Sequence, residues 1–421
     1  MIARTMGALI YELIRLSAAF IILAIAASAS AAETAKIKPF AVQVEESVLV
    51  DLRRRLGQTR WPDQIPGSDW EHGPDVGFVR ELCEYWRTEF NWRTHEARIN
   101  TWPQFTTRID GIELHFIHAK SHHESATPLM LVHGWPGSFV EFLGVLGPLS
   151  DPENHGGKAE DAFHVVVPSL PGFGFSSKPR EPGWNNTRIA EVLAKLMERL
   201  GYEGYGAQGG DWGGGIVQWM AANDPHCLAA HSNYPPSSRR RASSRTEARR
   251  ARVRAEELAD HKGYWAIQGS RPLVLSYGLN DSPAGLASWI VDKFWAWSDH
   301  DGRLENSFSK DDLLTNIMLY WVTETMPSSV RIYYESRHRT SRPLVMTPFE
   351  TRTKPPAPMG FALFPKEINV PSRSSVEKIV PNVVHWTEMS RGGHFAAMEQ
   401  PEALVRDVRA FFAKVRRLEG P

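Results

Sequence analysis

The middle of the chain carries the hydrophobic patterns of β-strands. Within residues 105–118, apolar and polar residues alternate after Asp110-Gly111, a pair that favours the tight turn of a hairpin. The short runs at 129–132 and 163–167 are continuously apolar, which is typical of strands buried on both faces. We therefore predict a hairpin followed by buried strands.

A helical pattern follows these strands. Between 187 and 200 the apolar residues fall on one helical face, and Gly201 comes next, where a helix C-cap belongs. Asn185 precedes the segment and fits an N-cap, although it also begins a glycosylation pattern. Strands that alternate with helices predict an α/β fold with a mostly parallel, doubly wound sheet.

The segment before these strands is rich in tryptophan. Apolar residues recur with helical spacing at 46–56 and again at 76–90. So many large rings must be buried, and the segment is small for a core of its own. We expect it to pack on, or wrap around, the larger domain. Its tryptophans are Trp61, Trp70, Trp86, Trp92 and Trp102.

An insertion interrupts the sheet pattern after Pro235-Pro236. Residues 237–260 are crowded with arginine and glutamate, which indicates a solvated helix or a mobile entry to a lid. Residues 264–334 are aromatic and helical in pattern, and strands resume near Met359. We divide the chain into a leading run (1–32), an N-terminal segment (33–104), a first part of the core (105–236), a helical lid (237–340) and a second part of the core (341–421).

The composition of the chain limits the partners, disulfides and metal sites that we expect. The chain has 421 residues with 48 basic and 48 acidic side chains, so nothing points to a nucleic-acid partner. Its two cysteines, Cys83 and Cys227, fit buried thiols, and a single disulfide is the alternative. No Cys/His spacing suggests a metal site, and His122-His123 lies in a polar loop without a partner motif.

The first 32 residues lie outside the predicted fold. Residues 16–32 are apolar or small, and the run ends in several A-x-A cleavage patterns. We expect an export signal that is cleaved, with a periplasmic or secreted product. The alternative is a membrane anchor, with membrane association through residues 9–32.

One glycine-rich turn carries the strongest chemical signal. The stretch Gly-Gly-Asp-Trp-Gly at 209–213 has the form of a nucleophile elbow, with Asp211 where an esterase carries serine. A carboxylate held there attacks an electrophilic carbon and forms an ester on the enzyme. Upstream, a turn containing Gly134 and Pro136 follows the first buried strand. The amides of Trp135 and Trp212 are therefore candidates for an oxyanion hole.

The general base and its acid are predicted further downstream. His394 is bracketed by glycine at 391–395, after the apolar stretch 380–386, and follows the nucleophile in the expected order. Glu367 comes after another apolar run and is our candidate for the acid that orients His394. Weaker candidates for the acid are Asp281, Glu350 and Glu388.

These motifs together resemble the microsomal-type epoxide hydrolases of the α/β-hydrolase superfamily, from about residue 38 to the C-terminus. The matching stretches include 133–138, 209–213 and 391–397, and in the lid 279–283 and 311–316. The tryptophan-rich leading segment is typical of that branch.

The resemblance implies an α/β-hydrolase fold and two lid tyrosines that donate a proton to the opening epoxide. Tyr264 aligns with one, and Tyr333 with the other, with Tyr334 as the adjacent ambiguity. It implies an apolar epoxide and water as reactants, and neither a cofactor nor a metal.

The mechanism implied by the resemblance is attack by ionised Asp211, followed by hydrolysis of the ester by water that neutral His394 activates. Activity should then fall as His394 protonates. One departure from the family pattern is the proline-rich stretch 341–358, between the lid and the acid.

Two other functions compete with this reading. A haloalkane dehalogenase uses the same aspartate, histidine and acid, but holds halide with tryptophan or asparagine side chains. A non-catalytic binder of hydrophobic small molecules can share the scaffold, although such a relative usually loses the nucleophile or the histidine. The paired lid tyrosines and the leading segment favour the epoxide reading.

Overall fold

A twisted nine-stranded sheet forms the centre of the molecule, and its strands follow the order β1-β2-β3-β5-β4-β6-β7-β8-β9. The computed structural model describes residues 36–236, 244–338 and 348–418. The strands are β1 (Lys38–Phe40), β2 (Gln104–Ile109), β3 (Ile112–Ala119), β4 (Thr127–Val132), β5 (Phe163–Pro168), β6 (Tyr205–Gly209), β7 (Cys227–Ser232), β8 (Met359–Leu363) and β9 (Val383–Glu388).

The sheet has an antiparallel edge and a parallel body. Strands β1, β2 and β3 pair antiparallel, and β2 turns into β3 through the predicted pair Asp110-Gly111, both with positive φ. Strands β4 to β9 run parallel, so their carboxyl ends meet at one edge. The predicted mostly parallel, doubly wound sheet is confirmed. Ligands bind at this edge in open α/β sheets.

Helices cover both the sheet and its carboxyl edge. The predicted helix at 187–200 is present as Asn186–Arg199, with the Asn185 side chain accepting the N–H of Arg188 as an N-cap. The helices are α1 (Glu46–Gly57), α2 (Val76–Thr88), α3 (Trp92–Ile99), α4 (Leu143–Ser150), α5 (Asn186–Arg199), α6 (Asp211–Asn223), α7 (Arg245–Glu257), α8 (Gly263–Gln268), α9 (Pro272–Leu279), α10 (Pro283–Trp297), α11 (Lys310–Val322), α12 (Met326–Ser329), α13 (Arg331–His338), α14 (Arg373–Val376), α15 (Ala396–Glu399) and α16 (Pro401–Leu418).

The N-terminal segment packs on both the sheet and the insertion. Strand β1 extends the sheet through β2, while the ring of Trp70 stacks on Trp295 of α10 with centroids 3.9 Å apart. The hydroxyl of Tyr85 donates to Asp311 of α11 at 2.9 Å. The two side-chain contacts with the insertion each join residues more than 200 positions apart in the sequence. They agree with the expectation that the segment packs on the larger domain or wraps around it.

The insertion consists of helices α7 to α13, which we call the lid (residues 245–338). Its first helix, α7, is solvated as expected along most of its length. Arg254 differs, because it is buried and its guanidinium donates to the carbonyls of Lys366 at 2.5 Å, Glu367 at 3.0 Å and Ala296 at 3.2 Å. The charged sequence of α7 concealed this tie between the lid and the core.

Of the predictions on the cysteines and the leading run, the first is confirmed and the second stays a prediction. Both cysteines are buried and free, as the first interpretation expected. The leading run 1–32 and the start of the proline-rich stretch lie outside the described residues, so export or anchorage stays a prediction. Within the described part of the chain, no helix has the length and apolar character needed to cross a membrane.

Candidate active site

The nucleophile elbow places Asp211 at the first residue of α6, directly after β6. Asp211 has φ 50°, the left-handed region that non-glycine residues rarely adopt, and such strain clusters at functional sites. The turn needs glycine at Gly134 and Gly213, because a Cβ on either would collide with Asp211 or with the backbone of Val132. This local backbone lifts the carboxylate above the carboxyl edge of the sheet.

Two loops hold the oxygens of Asp211. Its Oδ1 accepts the backbone N–H of Trp135 at 2.8 Å, and its Oδ2 lies 3.4 Å from Nε2 of His394. The amide of Trp212 is among the first N–H groups of α6, which have no acceptor within the helix. Of the two amides predicted for the oxyanion hole, that of Trp135 donates to this carboxylate, and that of Trp212 follows Asp211 in the first turn of α6.

Glu367 and His394 meet at the ends of neighbouring strands β8 and β9. Nδ1 of His394 lies 2.6 Å from Oε1 of Glu367, which also accepts the N–H of Ile368. The loops that carry them are joined by the N–H of Lys366, which donates to the carbonyl of Gly392 at 3.1 Å. The structure thus brings Asp211, His394 and Glu367 into one line of contacts.

Two carboxylates determine the direction in which the pKa of His394 shifts. Burial lowers the pKa of its imidazole, but Glu367 and Asp211 outweigh burial and raise that pKa well above its ordinary value. The two carboxylates therefore favour the protonated imidazole in the free protein. A neutral His394 requires loss of the Asp211 charge, which esterification of that carboxylate would provide.

The lid places two tyrosines, Tyr333 buried and Tyr264 partly buried, against the tryptophans beside Asp211. The ring of Tyr333 lies edge-on to Trp212, with centroids 4.9 Å apart, and the ring of Tyr264 stacks on Trp135 at 5.7 Å. The two tyrosine rings are 5.8 Å apart. Tyr334 instead packs on His338, so Tyr333 is the tyrosine that joins the cluster.

Burial keeps the hydroxyls of these tyrosines protonated. Desolvation is the largest cause that raises the pKa of Tyr264, and the same cause raises the pKa of Tyr333 well above its usual range. The negative charge of Asp211 acts in the same direction on both. The lid thus offers two neutral O–H donors opposite an acidic side chain on the core.

A buried ammonium group also contacts the lid cluster. Lys293 of α10 pairs with its neighbour Asp292, and its Nζ lies 4.6 Å from the ring centroid of Tyr264 and 5.7 Å from that of Trp297. The sequence alone does not show that Lys293 packs against Tyr264, because the two residues lie on different helices. The sequence interpretation missed it.

The turn that carries Trp135 is held from the lid side as well. Asn316 of α11 donates to the carbonyl of Pro136 at 2.8 Å and accepts the hydroxyl of Ser138 at 2.7 Å. Tyr320 donates to the carbonyl of Gly137 at 2.6 Å. The lid motif at 311–316, noted from the resemblance, therefore acts structurally by fixing the loop whose amide contacts Asp211.

Two of the weaker candidates for the acid, Asp281 and Glu388, form ion pairs with other partners than His394. Asp281 is exposed and pairs with Arg55 of the N-terminal segment at 2.6 Å, while Glu388 lies 3.5 Å from Arg250 on the surface. The side chain of Glu350 lies outside the described residues. Of the three candidate acids whose side chains the structure describes, Glu367 is the one in contact with His394.

The histidine pair noted in the sequence has a neighbour that the sequence did not reveal. Nε2 of His123 lies 2.9 Å from Oε2 of Glu153, and Nε2 of His122 lies 3.6 Å from the same oxygen. Among the described residues, these three form the one group of potential metal ligands. They lie at the surface, outside the site around Asp211.

Comparison with family models matches two regions of the chain. Residues 37–142 match the model described as the epoxide hydrolase N terminus, and residues 127–261 match the model of the alpha/beta hydrolase fold. The carboxylate elbow on a parallel sheet, followed by an acid and a histidine, defines the same class. The chain is an α/β-hydrolase.

Full-length relatives narrow this class. The chain is 44% identical to a putative epoxide hydrolase of Stigmatella aurantiaca, over 90% of this chain and 86% of that protein. It is 37% identical to epoxide hydrolase 1 of Sus scrofa, over 91% and 90% of the two chains. The protein therefore belongs to the microsomal-type epoxide hydrolase family.

Solved structures agree with this assignment. The epoxide hydrolase of Aspergillus niger matches with a TM-score of 0.78 and 31% identity, over 90% of this chain and 97% of that one. The juvenile hormone epoxide hydrolase of Bombyx mori matches with a TM-score of 0.79 and 29% identity, over 91% and 95%. The fold predicted from the resemblance is confirmed.

Proposed function

We propose that this protein hydrolyses apolar epoxides to vicinal diols through a covalent ester on Asp211. The observation that carries the proposal is the position of Asp211. Its carboxylate contacts His394 on the core side, and tryptophans that flank it pack against Tyr264 and Tyr333 of the lid. The nucleophile of the core and the O–H donors of the lid thus belong to one cluster, which is the combination that ring opening of an epoxide requires.

In the first step, an Oδ atom of Asp211 attacks one ring carbon of the epoxide. A carbon–oxygen bond forms to the enzyme and the ring carbon–oxygen bond breaks. The oxygen that leaves the carbon carries the developing charge, and Tyr264 and Tyr333 stabilise it by hydrogen bonding and proton donation. Aromatic walls from the lid favour an apolar substrate over a charged one.

In the second step, water attacks the acyl carbon of Asp211. Esterification removes the charge that keeps His394 protonated, so the imidazole becomes able to accept a proton from water, while Glu367 holds its Nδ1. The amides of Trp135 and Trp212 stabilise the resulting oxyanion. Collapse breaks the ester, releases the diol and restores the carboxylate.

The test is diol formation from styrene oxide and bulkier apolar epoxides. Wild type should form diol, Asp211→Ala should form none, and His394→Gln should accumulate an ester that mass spectrometry locates on Asp211. Release of halide from haloalkanes without turnover of any epoxide would instead indicate a dehalogenase. The indole N–H groups of Trp135 and Trp212, both buried without a partner among the described residues, make that alternative worth including.

A further inference from the structure

A small cavity lies on the core side of Asp211. Its volume is about 20 Å³, enough for one water molecule. It is lined by Glu141, Asp211, Asn233 and His394, together with residues of the loop at 133–137 and apolar residues at 395–397. Every lining residue belongs to the core and none to the lid. The cavity therefore lies on a side of Asp211 that the core alone forms, and the epoxide of the proposed function is expected on the side of the lid tyrosines.

Glu141 brings a carboxyl group into this cavity from the short 3-10 helix Phe139–Phe142. Its Oε1 accepts the backbone N–H of Ser138 at 3.1 Å. Gly137 makes the position available, because a Cβ there would collide with Oε1 of Glu141. A glutamate that only caps a helix is ordinarily solvated, whereas this one is partly buried and lines a cavity together with Asp211 and His394.

The surroundings of this carboxyl group also shift its pKa. Burial raises the pKa of Glu141 to about 8, with His394 opposing the shift and Asp211 adding to it. The raised pKa favours the protonated carboxyl group, which offers both a donor and an acceptor. A water molecule in the cavity needs partners of both kinds.

We propose that Glu141 positions the water that hydrolyses the Asp211 ester. This inference rests on the proposed function. The water oxygen bonds to the acyl carbon of Asp211, and one water proton passes to Nε2 of His394. The imidazolium then returns that proton to the alkoxide as the ester bond to the diol breaks. Glu141 exchanges no proton, and its contribution is to hold the water between the two reacting groups.

The experiment compares Glu141→Leu, which removes both hydrogen-bonding functions at similar volume, with Glu141→Gln, which keeps them. For Glu141→Leu we expect ester hydrolysis in single-turnover experiments to slow about 100-fold, the scale on which misplaced reactants act. Alkylation is unchanged, so kcat and KM fall together while kcat/KM is retained. The ester on Asp211 accumulates, and Glu141→Gln recovers most of the hydrolysis rate.

Other outcomes would overturn the inference. A loss in kcat/KM that equals the loss in kcat, without ester accumulation, would mean that Glu141 only supports the fold. Equal hydrolysis rates in wild type and Glu141→Leu would also contradict it. If Glu141→Leu does not fold, Glu141→Asp withdraws the carboxyl by one methylene and should slow hydrolysis alone. Wild type that forms no ester on Asp211 would contradict the proposed function itself.

Discussion

The two sides of the active site are built by different means. On the core side, Asp211, His394 and Glu367 are ionisable groups that follow the ends of strands and contact one another directly. On the lid side, Tyr264 and Tyr333 are neutral rings whose positions depend on helix packing and aromatic contacts. The core concentrates charge, and the lid supplies protonated donors within an apolar wall.

The protonation states of the groups on the two sides therefore depend on different physical effects. The mutual effects of the core groups are electrostatic, since each carboxylate raises the pKa of His394. The lid tyrosines stay protonated because they are buried. Variants on the core side should therefore change the ester hydrolysis step and its pH dependence, and variants on the lid side should change ring opening.

The largest effect that tests the core side is expected for Glu367→Gln. The amide leaves His394 without its anionic partner, so we expect ester hydrolysis to slow by about 10⁴-fold, as when the acid behind a catalytic histidine becomes an amide. Single-turnover decay of the ester measures this. Glu388→Gln, an exposed acid at the end of β9, is the control and should retain the wild-type rate. Equal losses in the two variants would reject Glu367 as the acid.

The matching test of the lid side uses Tyr333→Phe and Tyr264→Phe. Each should lower kcat/KM by about 100-fold, because ring opening loses one proton donor, and the double variant should lose more. The decay of a preformed ester should not change. Tyr334→Phe, on the same helix, is the control and should behave as wild type. Loss of activity in Tyr334→Phe alone would reverse the assignment.

The pH profile sharpens the comparison. Hydrolysis needs neutral His394, so kcat should fall about tenfold for each pH unit below the imidazole pKa of the ester. That pKa lies below the pKa of the free protein, since the ester lacks the Asp211 charge. Asp211→Asn mimics this loss, and NMR titration should show a lower His394 pKa than in wild type. An unchanged or higher value would contradict the account.

The smallest catalytic effect is expected where the lid and core are joined. Arg254→Met removes charged hydrogen bonds to three buried carbonyls, so the free energy of unfolding should fall by about 2–3 kcal/mol while kcat stays within tenfold of wild type. Urea titration measures the stability. Arg252→Met on the same helix, with an exposed side chain, should be neutral. A loss of activity without a loss of stability would place Arg254 in the chemistry.

The core side could be predicted from the sequence because its signals are local. Asp211 and His394 lie in glycine-containing turns that come after apolar runs, and parallel strands bring such turns to one edge. Glu367 could be placed by its position after β8, although three other acids competed. The hairpin at Asp110-Gly111 and the parallel sheet followed from the same local patterns.

The lid side could be anticipated only through the family pattern. Tyr333 and Tyr334 are adjacent aromatic residues, and only helix packing decides which one meets Trp212. Arg254 was hidden in a charged helix whose other arginines are solvated. Asn316 contacts a loop that is distant in the sequence, and Glu141 contacts the residue just before its own short helix. The periodicity of apolar residues carries no information about either contact.

The covalent route through Asp211 is tested most directly by a single turnover in H₂¹⁸O with enzyme in excess over epoxide. The account predicts that the diol carries no ¹⁸O, because its new oxygen comes from Asp211, and that the label appears in the peptide containing Asp211. Label in the diol and none in that peptide would mean that water opens the epoxide directly, and the covalent mechanism would be wrong.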